Sequence, residues 1–127
     1  MTTLRIVLAE DDGMIGMLLA EMLTAMGHDV CAVEATKDAT VSAAARHRPD
    51  LIIADARLGQ ESGVSAIEEI LRGGFVPHFF MSGNISAVRA LRPDAVILEK
   101  PFDEGQLAHA IQRCLSNAAT LLPVEPT

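Results

Sequence analysis

The chain has 127 residues, half of them hydrophobic, and carries a formal net charge of −7 from 10 basic and 17 acidic side chains. This length fits one domain and is too short for two ordinary ones. The acidic balance opposes binding to phosphate backbones, and the absence of Trp and Tyr leaves little aromatic surface for stacking on bases. We therefore expect a single domain that does not bind nucleic acid.

The apolar runs are all far shorter than the roughly 20 residues that a membrane helix needs. The amino terminus, MTTLRIVLAEDD, has acidic residues where a signal peptide would remain apolar. We expect no membrane association and a cytoplasmic location. Cys31 and Cys114 lack metal-type or redox-type spacing, which predicts that both are reduced core residues.

Short apolar runs alternate along the chain with segments of helical periodicity. The runs that predict strands are 4–9, 29–35, 51–54, 76–81 and 95–98. The segments that predict helices are 14–26, 36–47, 62–72, 86–92 and a last one that begins at 103. Parallel neighbouring strands need crossovers that cover the sheet, so this alternation predicts a doubly wound α/β fold. The last residues include two prolines in TLLPVEPT, so we expect a domain over 1–118 and a flexible tail over 119–127.

Two further expectations concern residues away from the strand ends. The methionine-rich stripe of the first helix, which includes Met14, Leu18 and Met22, is expected to lie in the core, because methionine commonly fills irregular gaps there. The four histidines have no metal-ligand spacing and are expected at the surface or at the edges of the fold; they are His28, His47, His78 and His109.

Polar side chains collect where the predicted strands end. The residues concerned follow the first, third, fourth and fifth strands in turn, and they are Glu10, Asp11 and Asp12, then Asp55, then Ser82, then Lys100. Sites in open α/β sheets form outside the carboxyl ends of the strands, so we expect these side chains to share one edge. Asp12 is equally well explained as the cap of the first helix, but three acids at neighbouring strand ends exceed what capping requires.

Carboxylates within a few ångströms repel one another, and a divalent cation that prefers oxygen ligands relieves the repulsion. We therefore expect Mg²⁺ as the cofactor. A metal beside Asp55, with Lys100 opposite, would neutralise the oxygens of a phosphoryl group and leave an Asp55 oxygen in line for attack. The pattern predicts an aspartyl phosphate at Asp55 and a hydrogen bond from Ser82 to the phosphoryl group. Gly63 gives the following loop a place to bend, and a cis bond before Pro101 would aim the lysine.

The motifs VLAEDD, LIIADARLG with Gly63, FFMSGN and EKPF occur in this order between Leu4 and about Ala118. Together they resemble the receiver domain of two-component response regulators. The resemblance implies a flavodoxin-like, five-stranded parallel sheet of order 2-1-3-4-5 with five helices. FFMSGN is also similar to single-domain receivers whose fourth strand runs into a Phe-Ala-Thr-Gly type signature. The implied site consists of the phosphoacceptor Asp55, the hydroxyl of Ser82, the ammonium of Lys100, and the metal ligands Glu10, Asp11, Asp55 and the backbone carbonyl of Arg57.

Three positions depart from the receiver pattern. Gly59 stands where typical receivers have a proline, which predicts a looser loop, and Gly83 stands where alanine is usual. Ile97 stands where many receivers have a Tyr or Phe that turns inward on activation, so any switch here must use another element, such as the fourth helix or the loop after Ser82. Arg57 and Asn84 flank the site and are expected to affect the water that hydrolyses the phosphoryl group.

The leading hypothesis is a free-standing receiver, and not a classical enzyme. It takes a phosphoryl group from a sensor histidine kinase or a histidine phosphotransfer protein onto Asp55, with Mg²⁺, and signals by changing protein partners. Two alternatives remain open. One is a partner-binding module that works without phosphorylation, favoured if Gly59 and Ile97 mean that the switch has been lost. The other is a small-molecule phosphohydrolase that uses the same aspartyl phosphate, although the chain lacks a substrate-selecting cap.

Overall fold

The computed structural model describes residues 3–121, with side chains described as far as residue 118. Within these residues the elements are β1 Arg5–Ala9, α1 Gly13–Ala25, β2 Asp29–Glu34, α2 Lys37–His47, β3 Leu51–Asp55, β4 Arg57–Leu58, β5 Glu61–Ser62, α3 Gly63–Leu71, β6 His78–Ser82, α4 Ile85–Leu91, β7 Ile97–Glu99 and α5 Glu104–Leu121. All five predicted helices and all five predicted strands are present. The predicted tail overlaps the end of α5 at 119–121, and its residues 122–127 lie outside the described residues.

Five strands form one sheet in the order β2-β1-β3-β6-β7, and every pair in it is parallel. Counted among themselves in chain order, these strands have the order 2-1-3-4-5, so the flavodoxin-like fold is confirmed. The direction of winding reverses between β1 and β3. The carboxyl ends of these two strands therefore open the crevice in which sites form in such sheets.

Side chains alternate along each strand and so supply two hydrophobic clusters, one on each face of the sheet. The cluster under α1 and α5 includes Leu8, Leu23, Ile53, Phe79 and Leu107. The cluster under α2, α3 and α4 includes Val7, Ile52, Ile67, Phe80 and Val88. Every residue of β3 is buried, as expected of a central strand that is covered on both faces.

A small antiparallel ribbon, formed by β4 and β5, follows Asp55 and was not predicted. In this ribbon Arg57 pairs with Ser62, and Leu58 pairs with Glu61. Strands of two residues are too short to show an alternating pattern in the sequence. The ribbon matters because it forms the loop beside Asp55.

The expectation that the stripe of α1 lies in the core is wrong for its amino-terminal half. Met14 is 70% exposed and Leu18 is 53% exposed, whereas Leu19 and Leu23 are buried. A helix on a sheet buries only one face, and the apolar residues of α1 extend around more of the helix than that face. We call the exposed residues Met14, Ile15, Met17 and Leu18 the α1 surface.

Cys31 and Cys114 are both free, as predicted, the first half-buried and the second buried. None of the helices within residues 3–121 combines the length and the apolar character that crossing a bilayer requires.

Candidate functional site

Three carboxylates meet at the carboxyl ends of β1 and β3. Glu10 and Asp11 directly follow β1, and Asp55 is the last residue of β3. One oxygen from each of the three carboxylates lies within 4.8 Å of the others. The register of the sheet causes this meeting, because Ala9 pairs with Ala54 in the residues just before the acids. A set of closely spaced carboxylate oxygens suits a hard divalent cation such as Mg²⁺.

The three acids differ in their exposure to solvent. Glu10 is 3% exposed and Asp55 is 8% exposed, whereas Asp11 is exposed. Burial raises the pKa of Glu10; a hydrogen bond from the Asp12 amide opposes this shift, and the Asp55 carboxylate adds to it. The cluster therefore holds negative charge that a bound cation would relieve.

Lys100 follows β7 and reaches across the same edge. Its Nζ makes a close ion pair with Asp55 Oδ2 and lies 3.3 Å from Glu10 Oε1. Burial lowers the pKa of Lys100, but the hydrogen bond and the charge of Asp55, together with Glu10, outweigh burial, so the pKa is raised. The Lys100–Pro101 peptide bond is cis. Asp55 thus faces a positively charged ammonium at neutral pH.

Ser82 ends β6, the strand next to β3. Its neighbour Met81 pairs with Asp55, so Ser82 lies one residue further along the same edge. Its hydroxyl accepts a hydrogen bond of 2.9 Å from the Asn84 amide. The structure therefore brings together five of the six side chains that the sequence predicted at this edge, which are Glu10, Asp11, Asp55, Ser82 and Lys100.

The ribbon packs tightly against Asp55. A Cβ on Gly63 would lie 1.8 Å from the backbone oxygen of Asp55, so no other residue fits there without movement of the backbone. The Gly63 amide donates a 2.8 Å hydrogen bond to the Ala56 carbonyl. The Arg57 amide donates to Asp55 Oδ1 at 3.0 Å. The predicted role of the Arg57 carbonyl as a metal ligand stays a prediction.

Gly59 has a φ of +61°, which proline cannot adopt. Its carbonyl accepts a 3.2 Å hydrogen bond from Nε of Arg57. The glycine therefore suits the backbone conformation of this turn. From the sequence alone, we had expected a looser loop here.

Asp12 caps the first helix. Its Oδ1 accepts hydrogen bonds from the amides of Met14 and Ile15, at 3.0 and 3.1 Å. Of the two interpretations left open for Asp12, the structure shows the capping one.

A cavity of about 780 Å³ extends from the acids between the ribbon and α4. Its polar end is lined by Asp11, Asp55 and Asn84, and its far end by Val88 and Leu91. This apolar end was not predicted, because its residues come from α4 and carry no motif.

A doubly wound sheet with three acids, a hydroxyl and a lysine at its carboxyl edge defines a receiver-type signalling domain. The chain belongs to the response regulator receiver domain family of two-component signalling, whose sequence profile it matches over residues 6–112.

Two curated relatives are regulators. The transcriptional regulatory protein PdtaR of Mycobacterium tuberculosis (strain ATCC 25618 / H37Rv) is 30% identical over 125 residues, which cover 95% of this chain and 61% of PdtaR. The phyllosphere-induced regulator PhyR of Methylorubrum extorquens is 31% identical over 114 residues, which cover 87% of this chain and 43% of PhyR. The chain thus spans less than two thirds of the length of either relative.

A solved structure matches over nearly the whole of both chains. The solution NMR structure of the Erythrobacter litoralis PhyR response regulator REC domain has a TM-score of 0.81 and 28% identity. The match covers 98% of this chain and 95% of that one.

Proposed function

We propose that this receiver accepts a phosphoryl group onto Asp55 from the phosphohistidine of a sensor histidine kinase or a histidine phosphotransfer protein. The observation that carries the proposal is the setting of Asp55. Its carboxylate is nearly buried, contacts Lys100, and lies among two other acids at the end of a cavity. Such a carboxylate is oriented by its neighbours and still reachable by a donor.

In the proposed step, a carboxylate oxygen of Asp55 forms a bond to phosphorus while the bond from phosphorus to the donor's imidazole nitrogen breaks. Because the other ring nitrogen of the phosphohistidine carries a proton, the donor's side chain departs as neutral imidazole. Lys100 is close enough to Asp55 to pair with an oxygen of the new phosphoryl group. The hydroxyl of Ser82, now accepting from its own loop, would turn and donate to another oxygen.

Glu10, Asp11 and Asp55, with the backbone carbonyl of Arg57, would hold Mg²⁺, which supplies neutralisation of the charge on phosphoryl oxygens when bound. The Arg57 amide donates to Asp55 Oδ1 and so helps to fix the orientation of this carboxylate. In this proposal the protein is an autocatalytic phosphoryl acceptor and not a classical enzyme.

The receiver acts, in this proposal, through a separate protein partner in the cytoplasm, the location that the sequence predicted. The α1 surface supports partner binding, because exposed apolar residues in one patch are typical of interaction sites. Next to it lies an apolar cleft of about 470 Å³, lined by residues of α1 and by Lys100, Pro101 and Phe102. A partner on this surface would reach the site that contains Lys100.

The test is intact-mass measurement after incubation with acetyl phosphate and Mg²⁺. We expect a phosphate-sized gain for the native chain, no gain for Asp55→Asn, and a greatly reduced gain for Asp11→Asn. Asp12→Asn is the matched control, because Asn caps a helix as well as Asp does and position 12 contributes no oxygen to the cluster.

No gain in the folded native chain, or an equal gain in Asp55→Asn, would reject the proposal. The first of these results would favour the partner-binding module that works without phosphorylation. Loss of the gain when EDTA replaces Mg²⁺ is expected as well.

A further inference from the structure

Little apolar surface holds α4 against the sheet. The helix has seven residues, and Val88 is its buried one, whereas α3 has four buried residues. Leu91, in the last turn of α4, is 64% exposed. A helix this short persists only through its tertiary contacts, so the polar contacts at its end carry much of the attachment.

Arg92, the residue that caps α4, reaches back to β6. Its Nη2 lies 2.9 Å from Nε2 of His78, the first residue of β6. Its guanidinium carbon lies 5.6 Å from the centre of the Phe80 ring, over the ring face. The amide of Arg92 donates to the Val88 carbonyl at 2.8 Å, which joins this side chain directly to the last turn of α4.

The hydrogen bonds of His78 define its protonation state. Nδ1 lies 2.7 Å from the Val76 carbonyl oxygen, and because a carbonyl only accepts, Nδ1 carries the proton. Nε2 is then the nitrogen without a proton, and it accepts the bond from Arg92. This bond exists only while the imidazole is neutral.

Protonation of Nε2 would replace the acceptor by a donor and place a second cation 2.9 Å from the guanidinium. Nη1 of Arg92 is already buried without a hydrogen-bond partner among the described residues. Loss of the His78 acceptor would therefore remove the bond that offsets desolvation of the guanidinium, and Arg92 would move into solvent.

Among the described residues, Arg92 is the charged group that acts on His78. The rings of Phe75 and Phe80 lie beside the imidazole, with centres 6.1 and 5.7 Å away. From the other face of the sheet, Cys114 donates to the His78 carbonyl at 3.1 Å, and burial raises the pKa of its thiol to about 11. Cys114 thus stays neutral where histidine titrates.

We infer that the His78–Arg92 pair is a pH-sensitive latch, which fixes the carboxyl end of α4 to β6 and opens when His78 is protonated. Burial lowers the pKa of His78; the Val76 carbonyl opposes this shift, and Arg92 adds to it. The latch is therefore closed at neutral pH and opens in moderately acidic solution. It belongs to the unphosphorylated protein and does not depend on phosphoacceptance by Asp55.

The test is hydrogen exchange of the backbone amides of α4 and Arg92, at about pH 7.5 and about pH 5.5, corrected for intrinsic rates. In the native chain we expect exchange about tenfold faster at the lower pH, as for the loss of one hydrogen bond to a charged group. His78→Gln keeps an acceptor that does not titrate, so its α4 amides should stay protected at both pH values. His109→Gln removes an exposed histidine and should behave as the native chain.

Arg92→Gln should exchange fast at both pH values, whereas Arg89→Gln, which removes the same charge within α4 itself, should not. Far-UV circular dichroism checks that each variant is folded, and the amides of α1 serve as the internal reference. Equal corrected rates for native α4 at the two pH values would overturn the inference. Loss of protection in His78→Gln at the lower pH would also overturn it. So would an increase of the same size in the exchange rates of the α1 amides.

Discussion

The two walls of the cavity beside Asp55 are built in different ways. The ribbon wall, formed by the ribbon and α3, has the backbone of Gly63 against that of Asp55, and α3 buries Gly63, Val64, Ala66 and Ile67. The α4 wall rests on the buried side chain of Val88 and on the contacts of Arg92. The first wall is fixed by several buried residues and by backbone contact, whereas α4 has one buried residue, Val88.

This difference suits a signalling domain. The proposed chemistry at Asp55 would need a wall that holds the carboxylate in place, and a signal would need an element that moves at small cost. Elements that move come from the less stable parts of a fold, those with few buried apolar contacts. We therefore expect α4 to be the element that would respond to the state of the site.

The largest loss of stability should come from truncating a buried side chain of the ribbon wall. The same change in the α4 wall should cost much less. Ile67→Ala should lower the free energy of unfolding by about 4 kcal/mol, because Ile67 is fully buried. Val88→Ala should cost about 1 kcal/mol, since we expect α4 to detach locally while the sheet stays folded. Urea denaturation measures both, and equal losses would show that the two walls are attached equally well.

A pair of glycines tests the fit of each wall. Gly63→Ala should cost about 3 kcal/mol, because the added Cβ meets backbone and not a flexible side chain. Gly83→Ala, beside the α4 wall, has nothing within 4 Å of the new Cβ and should change stability by less than about 0.5 kcal/mol. Thermal unfolding followed by circular dichroism compares them. A stable Gly63→Ala protein would mean that the ribbon wall can shift after all.

The pH dependence of stability tests the attachment at Arg92. The pKa of His78 in the folded protein lies below its ordinary value of 6.5, so the unfolded chain binds this proton more readily. The stability that neutral His78 contributes is present above this ordinary value and is lost as the pH falls from there toward the lower, folded value. Urea denaturation across this range should show a loss in the native chain that His78→Gln lacks, and parallel profiles would contradict the prediction.

The smallest effect should come from removing a hydrogen bond that joins the ribbon wall to α2. Nζ of Lys37 donates to Ser65 Oγ at 3.0 Å, which joins α2 to α3. Lys37→Met and Ser65→Ala should each lower the free energy of unfolding by about 0.5 kcal/mol. Because both substitutions remove the same hydrogen bond, the double variant should lose less stability than the sum of the two single losses. Strict additivity in urea denaturation would show that the bond contributes nothing.

The sequence predicted the elements and the acidic edge well, for a physical reason. A short apolar run that stops at a charged residue indicates both a strand and the position where that strand ends. In a parallel sheet those ends meet at one edge, so Asp55 and Lys100 could be placed near each other without coordinates.

The features that the sequence did not reveal depend on tertiary contacts. The bend at Gly63 was predicted, but not that its backbone lies against Asp55. The exposure of Met14 could not be predicted, since hydropathy does not tell which helix faces lack a neighbour. His78 was expected at the surface or at an edge, whereas it is half-buried on β6 and bonded to Arg92, a residue 14 positions away that belongs to no motif.

The ion pairs of Lys100 have a consequence for which ions the acidic edge would accept. Three carboxylates carry three formal negative charges, and the ammonium cancels one, which leaves a surplus of two. A doubly charged ion would bring this edge to electroneutrality, whereas a singly charged one would leave a deficit and a triply charged one an excess. By formal charge, this edge would thus favour a doubly charged ion over a singly charged one.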